Sequence, residues 1–93
     1  MPFVYELKLA ASAPDLTFVQ QLVPAGSLVG EGQAVATLTD GGMEFHVSAP
    51  RAGLLVAWFS EHGTSVQAGD VLARVVCEGE RVDVVDVLPN RLG

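Results

Sequence analysis

Short β-prone runs, set apart by Gly and Pro, make up almost the whole of this chain. Residues 3–9, 17–23, 34–39, 43–48, 54–59, 71–76 and 82–88 read as strands, being rich in Val, Leu, Phe and Thr and bounded by turn residues. Ten Gly and five Pro are spread along the sequence rather than gathered into one linker. No stretch shows a capped apolar period of 3.6, and the breakers leave no helix its length. The pattern predicts an all-β fold, a sandwich or flattened barrel of antiparallel sheets. The continuous run Leu54-Leu55-Val56-Ala57-Trp58-Phe59 reads as a strand covered on both faces, with Trp58, Phe59 and Phe45 in the core.

The clearest local signal is Thr39-Asp40-Gly41-Gly42-Met43. Tight hairpins need positive φ at their centre, which Gly supplies, so residues 40–42 are expected at an exposed hairpin tip.

The chain also matches itself at an offset of 37: Val19 falls on Val56, Gly26 on Gly63, Val29 on Val66, Gly32 on Gly69 and Ala36 on Ala73. The shared grammar is a strand, then G-x-x-V-x-x-G, then a strand, with the Val expected to plug the core where the chain reverses. Two copies predict internal two-fold pseudosymmetry. At the same offset residues 6–11 fall on 43–48, and residues 80–87 fall on 43–50 as a third copy, one strand too many for a two-fold.

Composition narrows the functions. With 93 residues, 49% hydrophobic and 17% charged, the chain suits one domain with a core. Eleven acidic against five basic residues, net −6, argue against a nucleic-acid partner and for steering toward a basic one. The single Cys77 excludes an internal disulfide framework. No apolar run approaches the roughly 20 residues of a membrane span, so no membrane partner is expected. Ala11-Ser12-Ala13 has the look of a signal-peptidase site, but Glu6 and Lys8 interrupt the apolar stretch before it. A cytoplasmic location is expected, and the opening Met1 suggests a free-standing domain.

Residues 39–53, Thr39-Asp40-Gly41-Gly42-Met43-Glu44-Phe45-His46-Val47-Ser48-Ala49-Pro50-Arg51-Ala52-Gly53, are followed by Gly63-x-x-Val66-x-x-Gly69-Asp70-x-Leu72. This stretch resembles the biotinyl/lipoyl carrier-domain family, whose lipoyl form reads approximately T-D-K-A-x-x-E-V-x-A-P-x-x-G. The upstream residues 5–38 look like the first half of a lipoyl domain, with Gly26-Ser27 where the family usually has G-D. The resemblance implies a biotinyl/lipoyl-like barrel over residues 1–79, with 80–93 a C-terminal extension carrying an extra β-strand. In that family a lysine at the hairpin tip carries biotin or lipoate. Here the position falls on Gly42 or Gly41, according to which flank is aligned, and the one lysine, Lys8, stands in the first predicted strand. Asp40, Gly41 and Gly42 thus form a vacant attachment tip, and no cofactor is expected.

Other chemistry finds little support. Cys77, His46 and His62 match no nucleophile or metal-ligand spacing, and Cys77 reads as a packing residue. Gly30-Glu31-Gly32 lacks the helix a dinucleotide site needs and reads as a turn. Glu78, Glu80, Asp83 and Asp86 read as the wet side of a C-terminal strand. No catalytic residue is assigned and an enzyme is not expected.

The sequence therefore points to a non-modifiable module that binds a protein, by resemblance a component of an acyltransferase/dehydrogenase, carboxylase or synthase assembly. The alternatives are a carrier whose lysine was replaced, and a small enzyme or ligand-binding protein reusing the barrel. The residues expected to meet a partner are Asp40, Gly41 and Gly42 at the tip and Val82, Val84 and Val87 in the extension. The run 82–88 either covers its own barrel's edge or adds to another chain's sheet, giving a homodimer.

Overall fold

A computed structural model describes residues 1–91. Its strands are β1 (Phe3–Lys8), β2 (Leu16–Gln21), β3 (Leu28–Val29), β4 (Ala34–Thr39), β5 (Glu44–Ser48), β6 (Gly53–Trp58), β7 (Ser65–Val66), β8 (Val71–Cys77) and β9 (Asn90–Arg91). They form two antiparallel sheets. Sheet 1 runs β1-β8-β6-β3 and sheet 2 runs β7-β2-β4-β5-β9. The all-β sandwich expected from the sequence is the fold observed.

Strand alternation explains the core. Phe3, Tyr5 and Leu7 of β1 point inward between exposed Val4 and Glu6, because successive side chains take opposite faces. Phe18, Leu38, Leu55 and Leu72 are fully buried, each worth about 1.5–3 kcal/mol of transfer from water. Phe18 meets Trp58 edge to face, ring centroids 5.8 Å apart. The valines of the two G-x-x-V-x-x-G segments plug the core as expected, Val29 and Val66 both being buried. Each lies in a two-residue strand, β3 or β7, hidden from a sequence reading inside the turn motif.

The pseudo-two-fold is exact enough to repeat single hydrogen bonds. Gly26 N–H donates to the Leu55 carbonyl (2.7 Å) and Gly63 N–H to that of Phe18 (2.8 Å); Leu22 N–H reaches Val35, and Phe59 N–H reaches Leu72, both at 2.8 Å. The bulges repeat too, at Phe18/Gln20 and Leu55/Ala57. One relation differs from the sequence match. Leu7 pairs with Ala73 as Val47 pairs with Ala36, and Lys8 with Val71 as Ser48 with Ala34, so β1 and β5 are equivalent at an offset of 40. The assignment of residues 6–11 to 43–48 is corrected accordingly. The connection after β1, residues 9–15, is three residues longer than its counterpart, residues 49–52.

Two further expectations change. The run 82–88 is not a regular strand. Its alternation slips at Val84-Val85, so no extended register keeps every valine inward, and Val85 is 76% exposed. Instead the segment follows the edge of β1 and touches it at one parallel bridge, Leu9 with Val87. There Val87 N–H donates to the Lys8 carbonyl (2.9 Å) and Ala10 N–H to that of Val87 (2.8 Å). The strand the extension contributes is β9, whose Asn90 and Arg91 pair with His46 and Phe45 of β5. The extension thus straps the edge of one sheet to the edge of the other, within its own chain. Second, β6 is covered on one face only, with Leu54 and Val56 on the solvent side. Phe59 is also 51% exposed, lying under the Arg74 guanidinium at 5.2 Å rather than in the core.

Candidate functional site

The β4–β5 connection is built by Thr39 and Asp40. Asp40 Oδ1 accepts the N–H groups of Met43 (2.8 Å) and Gly42 (2.9 Å). The Thr39 hydroxyl donates to the Met43 carbonyl (2.7 Å) and accepts the Gly41 N–H (3.0 Å), while Asp40 N–H reaches the Met43 carbonyl at 3.2 Å. Every amide from Asp40 to Met43 therefore has a partner, although the tip is exposed. The Met43 and Gly42 amides hold the Asp40 carboxyl below the usual carboxylate range, with a small contribution from the charge of Arg91.

The two glycines are not equivalent. Gly41 has φ +101°, where a side chain is strained. Gly42 does not, and a Cβ there would meet only Asp40 Oδ1, at an ordinary 3.7 Å. Of the two positions the sequence left open, only Gly42 can bear a side chain without strain.

A second feature of the motif is Gly53. A Cβ on it would stand 2.5 Å from the Val76 carbonyl oxygen and 2.7 Å from Val75 Cγ1. The glycine is thus required by the close passage of β8, not by a turn.

The other expected residues lie apart from the tip. Val87 is buried in its own core, Val84 packs partly against it, and only Val82, 38% exposed, faces solvent. Closing its own sheet edges thus occupies Val87 and part of Val84. His62 Nδ1 lies 2.7 Å from the Val19 carbonyl, and His46 stands in β5 between Thr37 and Asn90. Cys77 ends β8 opposite Phe3, and burial raises its thiol pKa. Among the described residues no group of three or more His, Cys, Asp or Glu could hold a metal ion. A surface cleft of about 580 Å³ opens between β1 and Arg81, Val82 and Asp83, and it includes none of His46, His62 and Cys77.

A family model described as biotin-requiring enzyme, Biotin_lipoyl, matches residues 6–75. The chain belongs to the biotin/lipoyl family. No curated protein matches it. The match runs from within β1 to within β8 and does not include residues 76–91.

An amide-linked biotin or lipoate needs a side-chain amine at its attachment point. In this biotin/lipoyl domain the tip offers a carboxylate and two glycines, and Lys8 is the last residue of β1. The residues present at the tip do not fit such a group.

Proposed function

We propose that this biotin/lipoyl domain carries no prosthetic group and serves as a protein-interaction or accessory module of a multienzyme assembly. The observation behind the reading is the tip itself, a complete hairpin turn whose amides are all satisfied, three of them by the Thr39 and Asp40 side chains, and which has glycine at the candidate attachment position free of strain. The sandwich is kept and the attachment chemistry is absent. Partners of the expected class are components of acyltransferase/dehydrogenase, carboxylase or synthase assemblies, approached with a net charge of −6 that favours a basic surface.

Two measurements test this. Intact mass spectrometry of the protein from its own cells is expected to give the unmodified mass, and a biotinoyl or lipoyl increment would overturn the proposal. Gly42→Lys, co-expressed with a biotin or lipoate ligase, shows whether the tip is still recognised. Because Gly42 has no strained φ and Gly41 does, Gly42→Lys is expected to fold like the parent and Gly41→Lys to lose about 1–2 kcal/mol.

A further inference from the structure

The outer face of sheet 1 carries an uninterrupted apolar row. Val4 pairs with Val76, Val76 with Leu54, and Leu54 with Leu28, across all four strands. Each stands next to an inward-pointing core residue, so the row lies on the solvent side. Val4 is 43%, Leu54 37% and Leu28 80% exposed. Val56 and Phe59 extend the apolar surface.

The internal repeat provides the comparison that gives the row meaning. The equivalent positions in sheet 2 are Glu44, Thr39, Thr17 and Ser65, paired in the same order. The same backbone row is entirely polar there. The fold therefore does not require apolar residues at these places, and a contiguous exposed apolar patch marks an interaction site.

A second copy of this chain is a poor occupant. Four strands about 4.8 Å apart present a few hundred Å² with their neighbours, short of the roughly 800 Å² per partner of a stable dimer. Two such domains, each of net charge −6, also repel. The surroundings favour a cationic flank instead. Glu78 follows Val76 two residues on, past the end of β8, with Glu80 beyond it, both exposed. Of the cations near the row, Arg74 is engaged by Glu6 at 3.5 Å and by the Phe59 ring, and Lys8 and Arg81, which line the cleft beside Val4, share it with Glu6, Asp83 and Asp86.

We infer that the outer face of sheet 1 docks a protein segment that presents apolar side chains flanked by Lys or Arg. This rests on the reading of the domain as an interaction module, and names the surface and the chemistry it would use.

The test transplants the polar row. Val4→Thr, Leu28→Ser, Leu54→Thr and Val76→Thr are combined, which keeps the charge and places strand-favouring Thr at three of the four positions. A labelled synthetic peptide alternating Leu and Lys is titrated by fluorescence anisotropy, beside a twin with Glu in place of Lys. The Lys peptide is expected to bind the parent, to weaken with salt and to lose at least tenfold in affinity on the variant, while the Glu twin does not bind. Equal binding to parent and variant, or binding of the Glu twin, overturns the inference. So does a parent dimer in sedimentation equilibrium that the variant abolishes, which assigns the row to a second copy. Should the combined variant melt early, Leu28→Ser alone, at the most exposed position, is expected to cost about threefold, and no change at that position overturns the inference as well. A prosthetic-group increment in the intact mass would instead refute the module reading, so the two failures are told apart.

Discussion

Gly53→Ala is the sharpest test of how the sandwich is packed. The added Cβ would lie 2.5 Å from the Val76 carbonyl oxygen, 2.7 Å from Val75 Cγ1 and 3.2 Å from Cys77 Sγ. The nearest atom is backbone in the middle of a sheet and cannot swing aside. Overpacking of this kind costs about 1–3 kcal/mol, and the backbone clash puts Gly53 at the upper end. The alanine returns about 0.4–1 kcal/mol by restricting the unfolded chain. A net loss of about 2 kcal/mol follows, which for a domain of this size lowers the melting temperature by about 8–16 °C. Thermal unfolding followed by circular dichroism measures it, with Gly42→Ala as the control because its Cβ meets nothing closer than 3.7 Å. Adding Cys77→Ala should restore little, since the carbonyl rather than the thiol makes the closest contact. A Gly53→Ala melting point indistinguishable from that of Gly42→Ala would refute the reasoning.

Other predictions concern single side chains. Burial pushes Tyr5 up to about 12 from its ordinary 10, and its hydroxyl donates to the Arg51 carbonyl at 2.9 Å. A raised folded pKa means that this contribution is complete below about pH 10 and is lost as pH rises toward 12. Tyr5 is the one tyrosine, so tyrosinate absorbance reads it directly, and titration of the folded protein near pH 10 would contradict the assignment. Val87→Ala removes two buried methyl groups where the strap meets β1 and is expected to cost about 1–2 kcal/mol in urea unfolding. An unchanged midpoint would show that the strap contributes nothing.

The longer strands were legible in the sequence because alternation and turn residues agree along residues 3–76. The pairs Leu28–Val29 and Ser65–Val66 were not, since two residues between glycines carry no periodicity. The offset of 40 between β1 and β5 was masked by the longer connection at residues 9–15, which ungapped sliding cannot absorb. The run 54–59 looks the same in sequence whether its second face is covered or bare, so the exposure of Leu54, Val56 and Phe59 emerged only with the neighbouring strands in place. The choice between Gly41 and Gly42 rested on a backbone angle that composition does not encode.

The repeat also determines how the molecule behaves as a whole. Strands β1 to β4 form one copy and β5 to β8 the other, yet neither copy owns a sheet. Each supplies the central pair of one sheet and the two flanking strands of the other. The duplication is thus a symmetry of the structure and not a division of the chain into modules. A half removed from its twin would keep two central strands without neighbours and two flanking strands with nothing to flank. Neither sheet is complete until strands remote in sequence have joined, β1 with β8 and β2 with β7, which places this domain among the slower, all-or-none folders. Damage at one seam, such as Gly53, is for that reason felt in both sheets at once.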